Sequence, residues 1–273
     1  MPAGLRNGLG WFVGHLAYRI FPLRGDWVMC NLKQAFPQAT PGWRGRMACQ
    51  TYIHFTRMLF DFFALYYCED DVFRHWIKVR QPGALMEALD EKRGIVIVMA
   101  HFGNWEAVCE WFSRNGFRFA ALAQRLMNPQ ADAIVRRARR QHGMRLYSIH
   151  TPNQELLRFL GDAGILAIVA DQDAKQRGVW VDFMGVPSST HRSPATYALR
   201  KRCPLLLATC YRDRSGRYLI HFERIPVNAI ISGQSDPIYE VTQAYTHLIE
   251  HHIRQRPEQY FWFHRRWKTR TRS

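Results

Sequence analysis

Between Gly94 and Glu106 the chain reads GIVIVMAHFGNWE, an all-apolar run that stops at a histidine and gives way to helix-compatible sequence near Asn104. Beyond it, short apolar, β-branched runs alternate with helical stretches, the pattern of an α/β sheet with helical crossovers. Strands are expected at 95–100, 118–123, 145–149, 165–170, 205–211 and 218–223, and helices at 105–115, 129–142, 152–162, 193–202 and 237–255. Residues 1–92 read instead as a mostly helical lead-in, with a dense apolar face over 43–67 and Pro37, Pro41 and Pro82 at the joins. No repeat, low-complexity block or long linker interrupts the chain, so 1–273 is expected to form a single domain whose α/β core spans 93–273.

Composition narrows the partners. A chain of 273 residues that is 47% hydrophobic can bury a sizeable core, and 38 Lys plus Arg against 22 Asp plus Glu leave a formal charge of +16. That field suits nucleic acid, an anionic membrane surface with phosphorylated lipid, or an acidic protein. The six cysteines, at 30, 49, 68, 109, 203 and 210, form no close pair and read as reduced core thiols of a cytoplasmic protein. No run approaches the ~20 apolar residues of a membrane-spanning helix. Leu5, Leu9, Phe12, Leu16 and Ile20 nevertheless recur at helical spacing, with Trp11 and Tyr18 suited to an interface. This segment either lies on a membrane or packs on the domain, its glycines at 4, 8, 10 and 14 weakening the helix.

The candidate chemistry sits where the first apolar strand ends, the place where ligands bind in open α/β sheets. Five residues on a continuous helix turn by ~500°, so His101 and Glu106 share a crevice only across a bend, with Gly103 relieving the crowding between them. A hydroxyl attacks an acyl thioester well only when a base takes its proton. A neutral imidazole is suited to that step, and a carboxylate beside it fixes the tautomer and stabilises the imidazolium. Backbone N–H groups at the helix start are expected to hold the oxyanion. Taken alone, His-x4-Glu is a weak signal, since a glutamate also simply favours a helix N-terminus. Other chemistries lack their motifs: there is no G-x-S-x-G, no phosphate-binding G-x-x-x-x-G-K-[ST] and no dinucleotide G-x-G-x-x-G after a strand. His247 and His251 lie one helical turn apart without the H-E-x-x-H order, so neither metal nor organic cofactor is expected.

Four motifs in order, HFGNWE, AQRLMNPQAD, IVADQDAKQRGVWVDFMG and PEQYFWFHRRWKTR, resemble the bacterial lipid A late acyltransferases, the lauroyl and myristoyl transferases, from about residue 5 onward. The resemblance implies a mixed, mainly parallel sheet flanked by helices, like that of glycerol-3-phosphate acyltransferases. It implies transfer of an acyl chain from acyl carrier protein to a hydroxyl of a lipid A precursor at the cytoplasmic face of the bacterial inner membrane, with His101 as base and Glu106 as its orienter. An acyltransferase for a lysophospholipid or another glycolipid is the alternative, and a non-catalytic basic protein binding nucleic acid or membrane a remoter one; nucleic acid is not an expected partner. The family's arginine after the next strand falls on Arg125, assigned to anchoring substrate phosphate or the reacting groups. Asp171 and Asp173 fall on its acidic motif, either holding a basic partner or capping the following loop. Arg265, Arg266 and Lys268, with His264 and Arg270 around Trp267, suit a phosphate or membrane-surface cluster. Arg136, Arg137, Arg139 and Arg140 read as a solvated helix face or a steering surface for acyl carrier protein. Two departures from the family stand out: the N-terminal span of many relatives is not expected here, so attachment is expected to be peripheral, and Asp182 stands where a proline or apolar residue is usual.

Overall fold

The computed structural model describes residues 3–232 and 235–269. Helices α1 (Ala3–Ile20), α2 (Gly25–Ala35), α3 (Pro41–Tyr67) and α4 (Asp70–Trp76) come first, then strand β1 (Ile77–Arg80) and α5 (Gly83–Asp90). The core continues as β2 (Ile95–Met99), α6 (Trp105–Arg114), β3 (Phe119–Ala123), α7 (Pro129–Arg140), β4 (Arg145–Ser148), α8 (Asn153–Gly161) and β5 (Ile165–Val169). It ends with the hairpin β6 (Val179–Phe183) and β7 (Val186–Thr190), α9 (Ser193–Lys201), β8 (Leu205–Arg212), β9 (Tyr218–Ile225), α10 (Val227–Ile231) and α11 (Pro237–Gln255). Local chemistry sets several helix starts. Thr40, Asn128 and Asp236 each accept a backbone N–H of the first turn, and each is followed by a proline at the first helical position.

Seven strands form one sheet in the order β1-β9-β8-β2-β5-β3-β4. Every pairing in it is parallel except β8 with β9, so the sheet is mixed and mainly parallel, as expected. The all-apolar β2 lies at its centre for a physical reason. Val96, Val98 and Ala100 enter the core on one face, with α8, α9 and α11, while Ile95, Ile97 and Met99 enter the other, with α5 and α6.

The expected strands and helices of the second zone are present with ends shifted by a residue or two. The lead-in differs, because its residues Ile77–Arg80 form a strand at the sheet edge, parallel to β9. In IKVR the charged residues alternate with apolar ones directly after a helix, which masks a four-residue strand as helical continuation. The β6–β7 hairpin was also not expected; Asp182 at its tip accepts the N–H of Gly185, a turn that needs the positive φ of glycine.

The glycines of α1 set how closely this helix approaches its neighbour. Gly10 and Gly14 are buried against α3, and a Cβ on Gly14 would come within 2.5 Å of the Ile53 Cα. The two backbones therefore touch, and α1 packs on the domain while its opposite face, with Leu5, Leu9, Phe12, Leu16 and Ile20, stays exposed.

Candidate active site

Strands β2 and β5 pair in parallel with Met99 opposite Val169, and Ala170 N–H donates to the Met99 carbonyl. Two residues beyond that register each chain presents a polar side chain, His101 from β2 and Asp171 from β5. His101 Nδ1 lies 2.8 Å from Asp171 Oδ1, and the His101 backbone N–H donates to the same oxygen at 3.0 Å. Burial pushes the Asp171 carboxyl up, but the His101 charge and these hydrogen bonds outweigh it and hold it below its usual value. An ionised carboxylate only accepts, so Nδ1 carries a proton, and in the neutral form of the imidazole the Nε2 lone pair is free. Asp171 is almost fully covered at 2% side-chain exposure, whereas His101 keeps 24%, so the imidazole is fixed from behind and open in front.

The bend after His101 is built from backbone. Gly103 has φ +59°, donates its N–H to the Gln259 carbonyl and has the Cys210 carbonyl 1.7 Å from where a Cβ would stand. A side chain at this position would displace backbone, so glycine is required. His54 from α3 bonds the Gly103 carbonyl at 3.2 Å, and burial pushes its pKa down to about 4, so it serves the bend as a neutral donor. Phe261 N–H donates to the His101 carbonyl, and the rings of Trp105 and Phe261 wall the imidazole at 4.8 and 5.9 Å.

Glu106 departs from its expected position as the partner of His101. Its carboxylate is buried and fully engaged elsewhere: Arg139 of α7 grips it through two contacts of 2.5 and 3.0 Å, Tyr66 donates at 2.6 Å and the Trp105 indole at 3.0 Å. Burial raises its pKa, but the Arg139 charge and the three donors prevail and the group is held below its usual value. The reason lies in α6: Glu106 stands on the helix side facing α3 and α7, while the Nδ1 side of His101 faces β5. Trp105 joins the two, its ring against His101 and its N–H on Glu106.

The other sequence-derived positions divide. Arg125 is exposed on the loop after β3, away from any side-chain hydrogen bond among the described residues. Asp173 turns from the crevice, accepting the Lys175 N–H and the Thr269 hydroxyl as a loop cap. Arg266 is not a surface cation: it is buried, donates to the Ser189 carbonyl at 2.6 Å and to the Thr190 hydroxyl, and lies over the Phe183 ring. Arg265, stacked on Trp27, and Lys268 are exposed, and Arg270 lies outside the described residues. Of the arginine run on α7, Arg137 and Arg140 are exposed, Arg136 pairs with Asp132, and Arg139 points inward to Glu106. Tyr66, Arg139 and His54 were not recognised from the sequence. The one signal in the sequence for the His101–Asp171 pair is that two apolar strands each end two residues before an ionisable group; the β2–β5 register that joins them comes from the fold.

The site can therefore take a proton at His101 Nε2 and stabilise the resulting cation through Asp171. Among the described residues no group of three or more His, Cys, Asp or Glu is placed to hold a metal. The model of the family described as bacterial lipid A biosynthesis acyltransferase matches residues 1–269. The lipid A biosynthesis palmitoleoyltransferase of Escherichia coli is 23% identical over 269 residues, covering 96% of this chain and 84% of the relative. A phosphatidylinositol mannoside acyltransferase of Mycolicibacterium smegmatis is 28% identical over 139 residues, and the matched part is 48% of this chain and 45% of that one. The solved 1-acyl-sn-glycerophosphate acyltransferase PlsC from Thermotoga maritima aligns over 93% of this chain and 97% of its own with 13% identity and a TM-score of 0.42, a likeness too loose to carry an argument.

Proposed function

This chain belongs to the bacterial lipid A biosynthesis acyltransferase family, and from that premise we propose that it is an O-acyltransferase moving a fatty acyl chain from acyl carrier protein to a hydroxyl of a lipid A precursor. The observation that carries this reading is the half-open imidazole whose Nδ1 is held 2.8 Å from a buried carboxylate. His101 Nε2 takes the acceptor proton as the hydroxyl oxygen bonds to the thioester carbon. The tetrahedral intermediate then expels the thiolate, which leaves with the proton from His101. Asp171 stabilises the imidazolium between these steps, and general base catalysis of this kind contributes roughly 100- to 10,000-fold. Glu106, assigned to that task from the sequence, acts here as a buried strut that fixes Trp105 and Arg139. Exposed Arg125 is the candidate anchor for substrate phosphate, a task for which a guanidinium is suited.

The test is mass spectrometry of a detergent-dispersed bacterial lipid extract incubated with lauroyl- or palmitoyl-acyl carrier protein and the protein. An acylated glucosamine lipid is the expected product; no acylated lipid from any fraction would overturn the reading. Acylation of an inositol mannoside or lysophospholipid instead would select the second acceptor class, which the mycobacterial relative supports by its likeness.

The site of action is the cytoplasmic face of the inner membrane, with peripheral attachment. No helix among the described residues is long and apolar enough to cross a membrane. Instead α1 turns Phe12, 58% exposed, and its apolar neighbours outward, with Phe21 and Leu23 just beyond, and Arg265 and Lys268 add exposed positive charge. Burying each such apolar side chain is worth about 1.5–3 kcal/mol. Phe12→Glu with Leu16→Glu should therefore weaken binding to phosphatidylglycerol vesicles by at least ~100-fold in a co-sedimentation titration. Unchanged binding would remove α1 as the attachment surface.

A further inference from the structure

Whatever reacts at His101 must find donors for the negative charge that forms on the carbonyl oxygen, and several backbone N–H groups around the base are already committed. The His101 N–H goes to Asp171, Gly103 N–H to the Gln259 carbonyl, Asn104 N–H to the Cys210 carbonyl and Ala107 N–H to the Asn104 side chain. Two of the N–H groups at the start of α6, those of Asn104 and Ala107, are therefore engaged within the protein. Side chains that face the open nitrogen of the base can supply further donors.

One does. Gln172 follows Asp171 in the turn after β5, and its side-chain nitrogen lies 3.5 Å from His101 Nε2. The three consecutive residues thus separate by direction: Asp171 takes Nδ1, Gln172 faces Nε2, and Asp173 turns away to Thr269 and the Lys175 N–H. Because Asp171 fixes the proton on Nδ1, Nε2 is an acceptor and the nearby group is the Gln172 NH2, a donor. This is the side chain's one hydrogen-bond contact among the described residues, so at most one of its two N–H donors is engaged there. Gln172 is half-buried, in a place where water is partly excluded.

An acceptor hydroxyl poised for proton transfer must lie about 2.6–3.2 Å from Nε2, where the amide now sits in contact. It displaces the amide from Nε2 but leaves it beside the hydroxyl oxygen, and the carbon under attack is one bond further on. We propose that Gln172 is a catalytic residue of this site, whose side-chain NH2 donates to the thioester carbonyl oxygen as it becomes the tetrahedral oxyanion. In that step the hydroxyl oxygen bonds to the carbonyl carbon and its proton passes to His101 Nε2. The carbonyl π pair moves onto the oxygen facing Gln172, then returns as the C–S bond breaks and the thiolate takes the proton from His101. No other reactant enters. The assignment rests on the acyl-transfer reading above.

The test compares wild type, His101→Ala, Gln172→Met and Gln172→Glu, using palmitoyl-acyl carrier protein and the detergent-dispersed lipid extract, with melting temperatures taken alongside. Methionine keeps the length and removes the donors. Gln172→Met should lower kcat by roughly 100- to 1,000-fold, the usual cost of one oxyanion donor. KM for both substrates should stay within about threefold, since the interaction is made only in the transition state. Gln172→Glu keeps the shape but cannot donate when ionised. It should be at least as slow as the methionine variant, and its acid limb should move to higher pH because a second carboxylate favours the imidazolium. A kcat within about threefold of wild type in either variant overturns the assignment, as does a loss that appears in KM alone. Should the methionine variant unfold, the glutamate variant decides by the same criteria. Failure of wild type itself to acylate any lipid would instead sink the acyl-transfer reading, so the two failures are distinct.

Discussion

Asp171→Asn is expected to keep the fold and to lower kcat for acyl transfer by roughly 100- to 10,000-fold, the range that general base catalysis supplies. Asparagine has the same shape, and its carbonyl oxygen can still accept the His101 backbone N–H that Asp171 receives at 3.0 Å. What it lacks is charge. The same oxygen also faces Nδ1 at 2.8 Å, so the tautomer is kept, but the imidazolium formed during attack loses its counter-ion. Circular dichroism and the melting temperature would separate this from unfolding. A stability effect accompanies it. Because the folded pKa of Asp171 lies below the unfolded value, its contribution is present above the unfolded pKa and is lost as pH falls through the folded one. Wild type should therefore lose more stability on acidification than Asp171→Asn. An asparagine variant with full turnover would remove Asp171 from the mechanism.

Glu106→Ala should act on the fold. It leaves the Arg139 guanidinium, 23% exposed, without the carboxylate that grips it, and the buried Tyr66 hydroxyl without its acceptor. Breaking one side of a buried pair costs about 3–5 kcal/mol, and the partial exposure of Arg139 puts the loss at the lower end of that range. Urea midpoints would measure it. Arg139→Met in the same chain should recover a large part, since the orphaned cation goes too and its volume is refilled. If Glu106→Ala instead melts like wild type while turnover collapses, Glu106 acts in the chemistry and the strut assignment is wrong. The pair of variants thus separates the two carboxylates: one is read in kcat, the other in stability.

The sequence disclosed the sheet well because its central strands are apolar on both sides, and such runs are conspicuous. It hid β1, whose lysine and arginine alternate behind a helix, and the β6–β7 hairpin, where Pro187 and Asp182 interrupt the strand pattern. At the site, His101 was legible from its place at a strand end. Spacing along the chain points to Glu106, five residues away, whereas the carboxylate that touches the imidazole is that of Asp171, 70 residues away. Register between parallel strands decides that contact, and register is invisible without knowing that β2 pairs with β5. Arg139 was hidden for a different reason: in a run of four arginines on one helix, composition does not tell which one turns inward. Arg266 likewise looked like part of a charged surface stretch until its two backbone and hydroxyl partners in β7 showed it to be interior.

The strap that crosses the base imposes an order in time. Phe261 holds the His101 carbonyl and Gln259 the Gly103 N–H, while Asn31 secures the same strap through the carbonyls of Trp262 and His264. A ribosome makes the histidine long before it makes these residues. The growing chain can thus carry every strand of the central sheet and still lack the clamp that aims the imidazole.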